Sequence, residues 1–130
     1  MADKKVLVVD DEIHIVHVVT IKLRNNGYNV VSASDGAEAY ELACCEKPDI
    51  VVTDYQMPVM SGLELIEKLR ETPQTADIPV IMLTARSFAV EEQRKQQLKI
   101  NKCLSKPFSP KELLRDIEDV LYQEALSKKG

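Results

Sequence analysis

The segment Ile50 to Pro58, with the sequence IVVTDYQMP, indicates how this chain folds. Three β-branched apolar residues and a threonine favour a buried strand, and Asp54 stands where this strand ends. A carboxylate at the end of a buried strand loses hydration, which costs free energy unless another group compensates. The position of Asp54 therefore has to be explained by residues elsewhere in the chain.

Short β-branched runs of this kind alternate with segments of helical periodicity along the whole chain. Strand and helix alternate five times, which predicts a doubly wound α/β fold with a five-stranded parallel sheet and five helices. Because both faces of such a sheet are covered, its strands read as continuous apolar runs. The predicted strands are Val6 to Asp10, Asn29 to Ala33, Asp49 to Asp54, Val80 to Thr84 and, more weakly, Cys103 to Ser105.

The composition restricts the possible classes of protein. A length of 130 residues with 45% hydrophobic residues predicts one globular domain over residues 1–130, with its core at about 4–124. The net charge of −4 argues against direct binding of nucleic acid. Acids soon interrupt the first apolar run, which argues against a signal peptide or membrane span and predicts a cytoplasmic protein. The three cysteines are interpreted as reduced thiols that act as small apolar residues.

Polar residues close four of the five predicted strands. In a parallel sheet the carboxyl ends of all strands lie on one edge, where such sheets bind ligands. Residues from distant parts of the chain are therefore predicted to converge on one crevice. They are Asp10 and Asp11 at the first strand, Asp54 at the third, Thr84 at the fourth and Lys106 at the fifth.

These groups together predict a site for Mg²⁺ and a phosphoryl group. Clustered carboxylates repel one another unless a cation is present, and oxygen-only ligands suit Mg²⁺. One carboxylate can then attack phosphorus as a nucleophile. Thr84 can donate a hydrogen bond to a phosphoryl oxygen and Lys106 can neutralise another, which is the positioning that phosphoryl transfer requires.

Each residue also has a simpler interpretation by itself. A strand-end aspartate is often the N-cap of the next helix, a threonine is a common strand residue, and a lysine is usually solvated. Glu12 is interpreted as a first-turn acid favoured by the helix dipole. These interpretations do not explain why all the polar strand ends should coincide, so the joint site is preferred.

The motifs at these positions resemble the receiver domains of two-component response regulators. The segments VLVVDDE, D-x-x-MP-x-M-S-G (Asp54 to Gly62), PVIMLTA and KPF occur in the order and spacing of that family. The resemblance covers Lys4 to about Leu121. It implies a flavodoxin-like sheet with the strand order 2-1-3-4-5 and a cis peptide bond between Lys106 and Pro107.

The resemblance also implies a role for each residue of the site. Asp54 would accept a phosphoryl group from a phosphohistidine on a sensor histidine kinase or a histidine phosphotransfer protein. Thr84 and Lys106 would hold the phosphoryl oxygens. Mg²⁺ would be held by Asp11, Asp54 and the backbone carbonyl of Gln56, with Asp10 contributing through water.

Three positions are expected to modulate the switch. Gln56 and Arg86, each two residues beyond a motif residue, occupy places that tune phosphoryl lifetime in the family. Cys103 stands where the family usually has tyrosine or phenylalanine, a ring that turns inward on activation. Because a cysteine is too small to fill that space, we expect a shallower conformational shift, centred on residues 84–90.

Two other functions fit parts of the sequence. A degenerate receiver that binds partners without phosphorylation is consistent with Cys103 but not with the intact acids, threonine and lysine. A small Mg²⁺-dependent phosphatase with an aspartyl nucleophile would carry Asp-x-Asp on its first strand, where this chain has Asp10-Asp11. The preferred prediction is a phosphorylatable switch module, monomeric or weakly dimeric, with an unidentified downstream target and no output domain in the chain.

Overall fold

The structure is a computed structural model that describes residues 4–85 and 92–129. Its strands are β1 Lys5–Val9, β2 Asn29–Ala33, β3 Ile50–Asp54, β4 Val80–Ala85 and β5 Lys102–Lys106. Its helices are α1 Ile13–Arg24, α2 Gly36–Glu46, α3 Gly62–Glu71, α4 Glu92–Gln97 and α5 Pro110–Lys129. The strands form one parallel sheet in the order β2-β1-β3-β4-β5, which confirms the predicted fold and strand order.

Both faces of the inner strands β1, β3 and β4 are almost wholly buried, as the continuous apolar runs predict, whereas the edge strands β2 and β5 are only partly covered. Successive side chains of a strand point to opposite faces, so β1 sends Val6 and Val8 to one face and Leu7 and Val9 to the other. The first pair packs with apolar residues of α1 and α5, and the second pair with those of α2 and α3. All four side chains are fully buried, so β1 contributes to the core on both faces of the sheet.

The helix α4 is attached to the sheet mainly through the residues that follow it. None of its own residues is buried, whereas Leu98 and Ile100 just beyond it are. The guanidinium of Arg70, near the end of α3, donates hydrogen bonds to the backbone of this segment and of the loop that leads into β4. The accepting carbonyl oxygens are those of Leu98 at 2.8 Å, Lys99 at 3.2 Å, Ala76 at 3.0 Å and Ile78 at 2.7 Å.

We expect Arg70→Met to lower the free energy of unfolding by about 2 kcal/mol. Methionine retains part of the apolar stem of the arginine, but four carbonyls lose their donor, three of them in partly buried hydrogen bonds. Each unpaired acceptor that water does not reach costs about 1 kcal/mol or more. Urea denaturation measures the change, with Arg115→Met on the exposed face of α5 as the matched control. Equal free energies of unfolding for the two variants would show that water replaces the hydrogen bonds of the guanidinium at no cost in stability.

Candidate functional site

The polar strand ends meet at the carboxyl edge of the sheet, as the sequence predicts. Asp10 follows β1 and Asp54 ends β3, and both are buried, with 2% and 7% of their surface exposed. Asp11 lies exposed beside them. Each of the three acids offers one carboxylate oxygen, and these oxygens lie within 4.8 Å of one another. One ligand can therefore contact all three acids.

Lys106, at the end of β5, links two of these acids. Its Nζ lies 2.9 Å from Asp10 Oδ2 and 3.3 Å from Asp54 Oδ1. The parallel pairing of β5 with β4 places the lysine at this edge, although it is 96 positions from Asp10 in the sequence. The peptide bond between Lys106 and Pro107 is cis, as predicted.

Glu12 also contacts Lys106, which the sequence did not reveal. The side chain of Glu12 makes no hydrogen bond that caps α1. Instead, its Oε1 lies 3.2 Å from Lys106 Nζ. The interpretation of Glu12 as a first-turn acid is therefore wrong, because Glu12 is the N-cap residue that precedes α1 and its carboxylate pairs with Lys106. The contact depends on the approach of β5 to the end of β1, and no local sequence pattern signals it.

Burial and neighbouring charges shift the protonation of the site. Burial raises the pKa of Asp54 to about 6, the charge of Asp10 adds to this effect, and Lys106 opposes it. Burial also raises the pKa of Asp10, against hydrogen bonds from the Glu12 N–H and from Lys106. Burial alone would lower the pKa of Lys106, but its contacts with Asp10 and Asp54 raise it. All three shifts show that the site favours more positive charge than the protein itself supplies.

We expect the metal-free protein to lose stability as the pH rises from about 4 to about 7. The pKa of Asp54 is about 6 in the folded chain and near its ordinary value of 3.8 in the unfolded chain, so the folded state binds more protons in this interval. Asp54→Asn lacks this titration, and its advantage over the parent should grow across the interval to about 2 kcal/mol. Denaturation of both proteins in a chelator, at several pH values, measures the difference. A difference that stays constant with pH would show that the pKa of Asp54 is not raised.

An open cleft of about 280 Å³ lies over the acids. Asp11, Asp54, Gln56 and Lys106 are among its lining residues. Clustered carboxylate oxygens suit a hard divalent cation such as Mg²⁺, so the donor set fits the predicted metal. Thr84 is buried at the end of β4, and the described lining of the cleft does not include it. The structure thus brings together the acids, the lysine and the glutamine at the carboxyl end of the sheet.

The loop after Asp54 is held tightly against the end of β3. The N–H of Gly62 donates to the carbonyl oxygen of Tyr55 at 2.8 Å. A Cβ on Gly62 would lie 2.3 Å from the backbone oxygen of Asp54, so only glycine allows this approach. Ser61 then caps α3 in a reciprocal arrangement with Glu64. The Ser-Gly pair of the motif therefore fixes the backbone on which Asp54 stands.

The modulating positions have different outcomes. Gln56 lines the cleft, and its effect on phosphoryl lifetime stays a prediction. Arg86 lies outside the described residues, as does most of the segment 84–90.

Cys103 is exposed on β5 and Cys45 on α2, while Cys44 is partly buried. All three cysteines are free, and the exposed Cys103 and Cys45 contribute little to the core. For Cys103 the reason is that β5 is an edge strand, only part of whose surface is covered.

Comparison with known proteins identifies the family. The response regulator receiver domain family matches residues 6–118, and the chain belongs to this family. Receiver domains are phosphoacceptor signalling domains of two-component systems, which act with histidine kinases. This confirms the resemblance and the class of function that were inferred from the motifs.

Among curated proteins, similar relatives are named as transcriptional regulators. The alkaline phosphatase synthesis transcriptional regulatory protein PhoP of Bacillus subtilis is 37% identical over 125 residues, which cover 96% of this chain and 51% of that protein. The phosphate regulon transcriptional regulatory protein PhoB of Pseudomonas aeruginosa is 36% identical over 123 residues, which cover 93% of this chain and 53% of that protein. The chain thus spans about half the length of the curated relatives it matches.

Among solved structures, single receiver domains are similar over nearly their whole length. The chemotaxis protein CheY4 of Vibrio cholerae is 36% identical with a TM-score of 0.84, over 92% of this chain and 99% of that one. The receiver domain of the sensor histidine kinase PA1611 of Pseudomonas aeruginosa is 28% identical with a TM-score of 0.81, over 92% and 98% of the two chains. The latter structure has a magnesium ion coordinated in its active-site cleft.

Proposed function

We propose that Asp54 accepts a phosphoryl group from a phosphohistidine donor and that the modified protein presents an altered interaction surface. The observation that carries this proposal is the contact of Lys106 with both Asp54 and Asp10. It places an ammonium group beside the carboxylate to be modified, where it can neutralise a transferred phosphoryl oxygen. The depth of Asp54 in the cleft supports it further, because water is partly excluded there.

The proposed reaction replaces one bond to phosphorus by another. A carboxylate oxygen of Asp54 attacks phosphorus while the P–N bond to the donor imidazole breaks. The imidazole nitrogen retains the electron pair of that bond, and Asp54 becomes an acyl phosphate. Asp54 has to be ionised to act as the nucleophile. A pKa of about 6 leaves it largely ionised at neutral pH.

Mg²⁺ is the proposed cofactor. Asp11, Asp54 and the backbone carbonyl of Gln56 would hold it, with Asp10 contributing through a water molecule. The clustering of the three carboxylates and the position of Gln56 at the cleft support this set. When bound, the ion would offset the negative charge of the carboxylates and of the incoming phosphoryl oxygens.

Lys106 and Thr84 are the proposed holders of the phosphoryl oxygens in the product. Lys106 already contacts Asp54, and we infer that the Thr84 hydroxyl, buried near the end of β4, reaches the phosphoryl group when this end of the strand moves. This movement is our proposed origin of the altered surface. Gln56, Arg86 and Cys103 would modulate the lifetime of the modified state, which ends by slow self-dephosphorylation.

The proposed donor is a sensor histidine kinase or a histidine phosphotransfer protein bound next to the cleft. A groove of about 460 Å³ runs between α1 and the start of α5 and has apolar lining residues that include Val18 and Phe108. Glu12 and Lys106 line this groove as well as the cleft. A donor helix lying in the groove would therefore place its phosphohistidine close to Asp54.

The remaining proposals concern the oligomeric state, the cellular location and the partners of the protein. We propose a monomer or weak dimer that acts in the cytoplasm on a still unidentified target, without direct contact to nucleic acid. The net charge of −4 supports the last point, and the three free cysteines support a reducing compartment. Within the described part of the chain, no helix is long and apolar enough to cross a membrane.

Intact-mass analysis tests the central proposal. The protein is incubated with a small phosphodonor such as acetyl phosphate, once with Mg²⁺ and once with a chelator. We expect a mass gain of one phosphoryl group in the first sample and none in the second. An unchanged mass with Mg²⁺, in protein shown to be folded, would instead favour a receiver that binds partners without phosphorylation.

A further inference from the structure

We propose that Glu12 is a positioning residue that holds Lys106 in the resting site and has to release it when the phosphoryl group arrives. This inference rests on the proposed function of Lys106. Among the residues that the structure describes, the ammonium group has three carboxylate partners, at 2.9 Å in Asp10, 3.2 Å in Glu12 and 3.3 Å in Asp54. Among these three, only Glu12 lies outside the cluster of potential metal ligands.

Because Glu12 is not among the potential metal ligands, it has a separate role once a cation is bound among the acids. A cation among the acids would neutralise much of the charge of Asp10 and Asp54, and so weaken their hold on Lys106. Glu12 would keep its full charge and its contact. The phosphoryl oxygens of modified Asp54 would then compete with the Glu12 carboxylate for the same ammonium group.

The structure lets the Glu12 side chain move while its backbone stays in place. Its N–H donates to Asp10 Oδ1 at 2.9 Å, and its carbonyl oxygen accepts from the N–H groups of Ile15 and Val16 at the start of α1. The side chain is 52% exposed, against 0% for Asp10 and 10% for Asp54. Because Glu12 lines both the cleft and the adjacent groove, its carboxylate can turn from one to the other.

Beryllium fluoride, an anionic mimic of the phosphoryl group, tests this role directly. Its affinity in the presence of Mg²⁺ is measured by fluorine NMR on the parent and on Glu12→Gln. We expect the variant to bind the mimic about 2- to 5-fold more tightly, the range expected for loss of a competing half-exposed ion pair. It should also accept a phosphoryl group from acetyl phosphate faster by a similar factor.

Two further variants separate the contact with Lys106 from a simple change of net charge. Glu12→Asp keeps the charge on a shorter side chain, and aspartate is well tolerated at the start of a helix. It should bind the mimic more tightly, as Glu12→Gln does. Glu41→Gln, on the exposed face of α2, changes the net charge equally and should match the parent. If Glu12→Gln and Glu41→Gln bind the mimic more tightly and Glu12→Asp does not, the change of net charge explains the effect and the proposal is overturned.

A double-mutant cycle gives the final test. In a Lys106→Met background, Glu12→Gln should leave the affinity for the mimic unchanged, because its effect passes through the lysine. An effect of equal size in both backgrounds would overturn the proposal. In another outcome, the parent accepts a phosphoryl group while Glu12→Gln binds the mimic with the affinity of the parent. This result would overturn the role of Glu12 and leave the proposed function standing. A parent that neither accepts a phosphoryl group nor binds the mimic would overturn both.

Discussion

Asp54→Asn is expected to accept no phosphoryl group under conditions in which the parent chain is modified. The amide is close to the carboxylate in size and its oxygen can still accept the hydrogen bond from the Tyr55 N–H, which is 2.9 Å long in the parent. It lacks the anionic oxygen that attacks phosphorus. The loss should therefore be complete, and the fold should remain, with added stability in the absence of metal.

Intact-mass analysis followed by peptide mapping measures this effect. Asp77→Asn, an equivalent change at an exposed position after α3, is the matched control and should be modified like the parent. Modification of Asp54→Asn to the same extent as the control would assign the phosphoryl group to another residue. Asp10 and Asp11 would then be the first candidates, because each has a carboxylate oxygen within 4.8 Å of one of Asp54.

Asp11→Ala should lower the affinity for Mg²⁺ by more than about tenfold. Even outer-shell partners of a metal ion contribute about 10- to 100-fold to its affinity, and Asp11 is one of only two proposed direct carboxylate ligands. Because Asp11 is exposed, its removal leaves no cavity in the core and should not alter the fold. Phosphoryl acceptance should fall together with metal affinity.

Isothermal titration calorimetry of the parent, Asp11→Ala and Asp77→Ala provides the comparison. Asp77→Ala removes the same charge at a distance from the cleft and should bind Mg²⁺ like the parent. Binding by Asp11→Ala with the affinity of the parent would place the metal elsewhere. The residue to examine next would be Glu12, the other exposed acid that lines the cleft.

The strands and the site acids could be predicted from the sequence because each depends on local signals. All five strands were placed to within one residue at each end, since β-branched runs bounded by polar residues are typical of buried strands. The convergence of Asp10, Asp54 and Lys106 followed from one topological rule, that parallel strands end on the same edge. No knowledge of side-chain packing was needed for either.

Contacts that depend on packing between distant elements could not be predicted in this way. The contact of Glu12 with Lys106 requires the approach of two strand ends that are not neighbours in the sheet. The four hydrogen bonds of Arg70 depend on the paths of two loops. The exposure of Cys103 depends on how little of the edge strand α4 covers. Each of these is decided by tertiary structure rather than by residue type or spacing.

The position of β1 inside the sheet, between β2 and β3, has a consequence for how the chain is made. β1 is synthesised before every other described element, yet its partners β2 and β3 follow only after further helices have been translated. Until then an apolar strand with two open edges leaves the ribosome, and such a strand pairs readily with other chains. Lys4 and Lys5 precede the run Val6 to Val9, and Asp10, Asp11 and Glu12 follow it. These flanking charges oppose aggregation of the nascent chain, so the acids of the later site already protect the strand while the protein is being synthesised.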